Sequence, residues 1–178
     1  IDMMEAEHVW IPGVHMTRGI AYEYAEQMKL QKGSHNFEND ILMAAKNIGK
    51  RYAVNRPHVQ NLEMTALAMF DATKKMHGMK ERERLLLQMA VMLHDVGKYI
   101  SFNNVADSSY NIIMSNEIIG LSHIEREMVA LIARYNTVTL PSYDELVMES
   151  SLSAEQYLTV SELTAIVRLA NALDRSHL

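Results

Sequence analysis

Apolar residues recur at helical spacing along most of this 178-residue chain. Beyond about Thr17, Ile20, Tyr24 and Met28 fall at i, i+4 and i+8, one face of a helix, and Gly33 closes the run. A polar turn, Gly33-Ser34-His35-Asn36, separates it from a second predicted helix, Phe37 to about Tyr52, whose inward stripe is Ile41, Ala44, Ala45 and Ile48. Asn55-Arg56-Pro57 then has the chemistry of a helix start, an asparagine to cap and a proline in the first turn. The third helix carries His58, Leu62, Ala66, Met69 and Phe70 on one face and ends near Gly78. The fourth is expected from Glu81 to about Tyr99, with Leu86, Ala90, Leu93 and His94 on its stripe.

A shorter helix follows the polar Asn103-Asn104 stretch, through Tyr110, Ile113 and Met114 up to Gly120. Ser122-His123-Ile124-Glu125 is a capping box, opening a helix through Met128, Leu131 and Ile132 to Tyr135. Pro141 punctuates the next stretch, where Tyr143 to Met148 is short and helical, and a last helix is expected from about Ser161 to Asp174. Its stripe is Leu163, Ile166, Val167, Ala170 and Asp174. Only His8 to Val14 departs from this rhythm: its composition is a strand's, broken at Pro12-Gly13, and alone it has no sheet to join. The pattern predicts an all-α fold with a short N-terminal β remnant, in which residues 1–15 are set apart from a helical domain over 16–178.

Composition narrows the chemistry. The hydrophobic share is 48% and the net charge is -5, so DNA and anionic membranes are not the expected partners. No apolar run approaches the roughly 18 residues that span a bilayer. With no cysteine, any metal must be held by His, Asp or Glu, and the chain suits the reducing cytoplasm. It opens on Ile1 rather than methionine, which leads us to expect a piece of a longer protein.

Three helical stripes begin or end in a metal-binding side chain. His58 precedes Leu62 by one turn, His94-Asp95 follows Ala90, and Asp174 follows Ala170. A histidine and a carboxylate at the buried end of an apolar helix are costly unless partnered. Either they satisfy one another in a hydrogen-bonded knot or they hold a metal, and periodicity alone leaves both open. Two imidazoles and two carboxylates suit one divalent ion, Mn²⁺, Fe²⁺, Zn²⁺ or Ni²⁺, with Mg²⁺ less favoured. Arg134, Arg168 and Arg175 carry guanidinium forks that match phosphate oxygens. The cluster Lys74, Lys75, Lys80, Arg82 and Arg84, interleaved with Glu81 and Glu83, reads as a solvated face.

The order His58, His94-Asp95, Asp174, with Leu93-His94-Asp95-Val96-Gly97-Lys98 around the doublet, resembles the HD phosphohydrolase superfamily. For Lys98, after the doublet, phosphate contact, and catalysis with Asp95 if the site is active, are what this resemblance to HD enzymes implies. Within it the chain is most similar to the C-terminal HD-like domain of the exopolyphosphatase / guanosine pentaphosphate phosphohydrolase family. Trp10-Ile11-Pro12-Gly13 through Gly19-Ile20-Ala21-Tyr22 looks like the junction after that family's actin-like catalytic domain. Glu127 to Tyr135 resembles its helix ending in Ala-Arg-Tyr-His, and Arg168 to His177 its Arg-Leu-Ala-Asp-Ala-Leu-Asp-Arg-Ser-His segment. The resemblance implies an HD-like helical bundle, a preceding actin-like domain that carries the main active site, and a homodimer. It implies polyphosphate or a phosphorylated guanosine nucleotide as ligand. Where relatives carry further histidines this chain has Val105, Ser108 and Asn136, so one metal is expected rather than two. Two other readings stand beside it: a standalone metal-dependent phosphohydrolase acting on phosphate esters, and a structural module without metal.

Overall fold

The computed structural model describes residues 15–28, 30 and 36–174. The strand expected over His8 to Val14, Gly33, Arg175 and His177 lie outside the described residues. The chain divides into two units, Ile1–Asn36 and Phe37–Leu178. In the first, α1 runs over Met16–Gln27, and its stripe residues Ile20, Tyr24 and Met28 are exposed.

The second unit is a bundle of helices: α2 Phe37–Arg51, α3 Arg56–His77, α4 Glu81–Leu93, α5 Val105–Ser115, α6 His123–Tyr135, α7 Tyr143–Leu146 and α8 Ala154–Asp174. Local chemistry sets most of the ends. Asn55 Oδ1 accepts from the His58 N–H at 3.3 Å, and Pro57 sits in the first turn of α3. Gly78, at φ 67°, closes the same helix by donating its N–H to the Lys74 carbonyl. Ser122 and Glu125 exchange side-chain and backbone bonds at the start of α6 as a capping box requires.

The long helices bury the expected stripes. Leu62, Ala66 and Phe70 of α3 are fully enclosed, and Leu163, Val167 and Ala170 of α8 likewise. A large apolar side chain so buried contributes about 1.5–3 kcal/mol before conformational entropy is charged against it. α4 differs from its expected stripe. Leu85, Leu86, Leu87, Met89, Ala90, Val91, Met92 and Leu93 are all buried, so burial runs around the cylinder. α4 is the central helix, packed against α2, α3, α6 and α8.

Two boundaries move. The fourth helix stops at Leu93 rather than continuing to Tyr99, and Val96–Tyr99 forms a separate 3₁₀ turn. The cause is contact with α5. A Cβ on Gly97 would lie 2.3 Å from the Val105 carbonyl oxygen and 2.6 Å from the Ser109 nitrogen, so only glycine admits this approach. The last helix begins at Ala154, well before Ser161, because Ser153 and Gln156 cap it reciprocally. Between Ala154 and Ser161, Val160 is enclosed but Leu158 is exposed, so the apolar residues of this stretch do not mark one buried face.

Candidate metal centre

The packing of α3 against α4 and α8 brings the N-terminus of α3 beside the C-termini of the other two. His58 occupies the third position of α3, His94 the first residue beyond α4, and Asp174 the last residue of α8. Two helix C-termini carry partial negative charge into this corner, and two carboxylates add to it.

Hydrogen bonds fix how both rings present themselves. His94 is buried and its Nδ1 lies 2.7 Å from the Val91 carbonyl oxygen, which can only accept, so Nδ1 carries the proton. With the ring neutral, Nε2 of His94 is a lone pair; with the ring protonated it is a second donor, facing Asp95. His58 Nδ1 donates to Asp174 Oδ2, so in the neutral ring its Nε2 is likewise a lone pair. The two Nε2 atoms face each other at 3.2 Å. Two lone pairs at that distance repel unless a metal ion or a proton stands between them. Asp95 completes the group, with Oδ2 at 3.4 Å from His94 Nε2 and 3.9 Å from His58 Nε2. One ligand atom from each of His58, His94 and Asp95 lies within 4.8 Å of the others.

The donor set fits a divalent ion of the borderline class. Metal–nitrogen bonds of about 2.0–2.1 Å at tetrahedral or octahedral angles separate neighbouring ligands by roughly 2.8–3.4 Å. The Nε2–Nε2 and Nε2–Oδ2 spacings of His94 fall in that range. Asp174, expected as a fourth ligand, meets His58 on Nδ1, the position from which a carboxylate orients a ligating ring.

The backbone of the doublet is clamped from α5. Ser109, fully buried, accepts from the Gly97 N–H at 2.9 Å and donates to the His94 carbonyl at 3.0 Å. Lys98 bonds Asp95 Oδ2. Burial pushes the Asp95 carboxyl up, but His94 and Lys98 outweigh it and hold it well below the usual carboxylate range. Asp95 is ionised at neutral pH.

A cavity of about 550 Å³ opens over His58, Asp95 and Lys98. Asn55, Asn103, Asn104, Thr137 and Asn171 give it a neutral polar wall that the sequence reading did not assign to the site. Their signal was present as caps and loop polarity, which carry no address in space. Arg168 lies in a neighbouring cleft that shares Thr137 and Asn171 with this cavity. Its guanidinium also donates to the Val138 carbonyl at 3.2 Å. Arg134 is engaged elsewhere: it pairs with Asp107 at 2.8 Å and lies over the rings of Tyr110 and Tyr135. Asn136 Oδ1 accepts from the Asn171 amide at 3.5 Å.

A helical bundle that gathers His, His-Asp and Asp at three helix ends is an HD-like domain. The model for the Ppx/GppA phosphatase family, domain III, matches residues 42–178, and this chain belongs to that family. Domain III is the family's C-terminal helical domain. Among the described residues no helix is long and apolar enough to cross a membrane.

Proposed function

We propose that this chain is the HD-like part of a phosphohydrolase acting on polyphosphate or a phosphorylated guanosine nucleotide, and that its corner holds one divalent metal. His58, His94 and Asp95 are the ligands, and Asp174 holds His58 in position or joins them. The observation that carries the reading is the pair of Nε2 atoms facing across 3.2 Å beside Asp95, each ring's other nitrogen already committed. When bound, such an ion polarises a phosphoryl oxygen or activates water. Lys98 and the amides of the cavity wall contact the polyanion, with Arg168 at the side. In keeping with a match to the family's third domain, assembly as a homodimer and a preceding actin-like domain belong to the same reading. The main chemistry then belongs to that domain, and this one contributes binding and architecture.

A second reading draws on the Lys98–Asp95 bond. One proton shared between His58 and His94 balances Asp95, Asp174 and Lys98 to neutrality, giving a knot without metal. Elemental analysis of chain purified without chelator separates the two. About one equivalent of divalent metal is expected, falling to near zero in Asp95→Ala; a metal-free wild type sinks the metal reading. Mn²⁺-dependent turnover of nucleotide monophosphates that His94→Ala abolishes would instead make the domain an enzyme in its own right.

A further inference from the structure

A second cleft, of about 410 Å³, lies between α2 and α3, with Met92 of α4 at its base. Arg56, Val59 and Glu63 line it, and at about 100° per residue they occupy the face of α3 turned away from His58. It is therefore distinct from the cavity over the metal centre.

On the helical unit Lys74, Arg82, Arg84, Lys98 and Arg134 are tied to acids, to Glu81, Glu125, Asp71, Asp95 and Asp107 in turn, while Arg51, Arg126 and Arg168 bond neutral groups. Lys46, Lys50 and Arg56 converge on the cleft with no ion-pair partner among the described residues. Lys46 and Lys50 stand one turn apart on α2, where like charges disfavour the helix. Arg56 opens α3, whose first turn has no acid to offset it. The one acid lining the cleft, Glu63, accepts from Gln88 Nε2 at 2.6 Å. Beneath this rim the floor is apolar, formed by Ala45, Gly49, Val54, Val59 and Met92.

We propose that the cleft binds a small phosphorylated metabolite with an apolar body, of nucleotide size. Lys50 and Arg56, on either side of the turn joining α2 to α3, take the phosphate with Lys46. The floor covers the apolar body, and Asn47, Gln60 and Glu63 meet its polar edge. The volume lies within the range of small-molecule sites.

Calorimetry of the whole 178-residue chain tests this, with adenosine 5′-monophosphate, adenosine and inorganic tripolyphosphate as probes. The monophosphate binds, more weakly as salt rises, and adenosine does not. Lys50→Glu with Arg56→Glu weakens binding about tenfold or more, and the exposed Lys46→Gln gives a smaller loss that does not depend on refolding. Asp95→Ala leaves binding unchanged, which keeps this result separate from the fate of the metal reading. No binding of the monophosphate, affinity unmoved by the double substitution, loss in Asp95→Ala alone, or tighter binding of tripolyphosphate each overturns the proposal.

Discussion

Two polar clusters hold helices together in this domain, and they are built to opposite rules. At the first, Arg82 of α4 reaches Glu125 of α6: Nε donates to Oε1 at 2.5 Å, Nη2 to Oε2 at 2.9 Å and also to the Gly120 carbonyl at 2.8 Å. Glu125 Oε2 accepts a further bond from the Ser122 N–H at 2.8 Å. Donors meet acceptors throughout, and the cluster is closed. At the second, His58 and His94 each spend one nitrogen on a hydrogen-bond acceptor and turn the other toward its counterpart. That cluster is open, and the metal ion proposed above would complete it. Closed networks fix structure, whereas an open one with matched donors marks a ligand.

The sharpest way to break this contrast is through Asp174. If it acts on the metal through His58, Asp174→Asn weakens metal affinity by about 10- to 100-fold. Equilibrium dialysis against a chelator reads the change, and unaltered affinity would remove Asp174 from the centre. Arg82→Ala attacks the closed cluster instead. It should cost about 1–2 kcal/mol of unfolding free energy, allowing for solvent screening of a partly exposed pair. Metal content should not move; a parallel loss of metal would show that the clusters are not independent. The smallest effect is in pH. The Arg82 guanidinium lowers the Glu125 carboxyl from 4.5 to about 2, with burial opposing and Ser122 assisting. A depressed acid contributes stability that is fully present above 4.5 and is lost as pH falls toward 2. Thermal melts across that window should fall more steeply for the wild type than for Glu125→Gln. Parallel curves would mean that the pair contributes nothing.

The same contrast separates what could be read along the chain from what could not. Asn55-Arg56-Pro57 and Ser122 to Glu125 announced their helices because a cap is settled within four residues. The order His58, His94-Asp95, Asp174 was legible because each falls on an apolar stripe, and an inward-facing stripe aims its polar member at the core. The break after Leu93 was not legible. It comes from α5, whose Val105 carbonyl and Ser109 crowd Gly97 from elsewhere in the sequence. Ser109 itself had no local signal, being one serine among several until its hydroxyl is seen bridging Gly97 and His94. The cations divide likewise. Lys98, Arg134 and Arg168 were alike on paper, yet Arg134 is drawn to Asp107 and two tyrosine rings while Lys98 faces the cavity.

By itself, then, the sequence determined the helical class, most helix starts, the family pattern and the helix-end positions of His58, His94 and Asp174, since these rest on periodicity and short-range capping. Which ring nitrogen faces which, where α4 must stop, which cations remain unpaired and where the two cavities open were decided by the tertiary structure. Those properties depend on distances between residues far apart in the chain, and packing alone sets them.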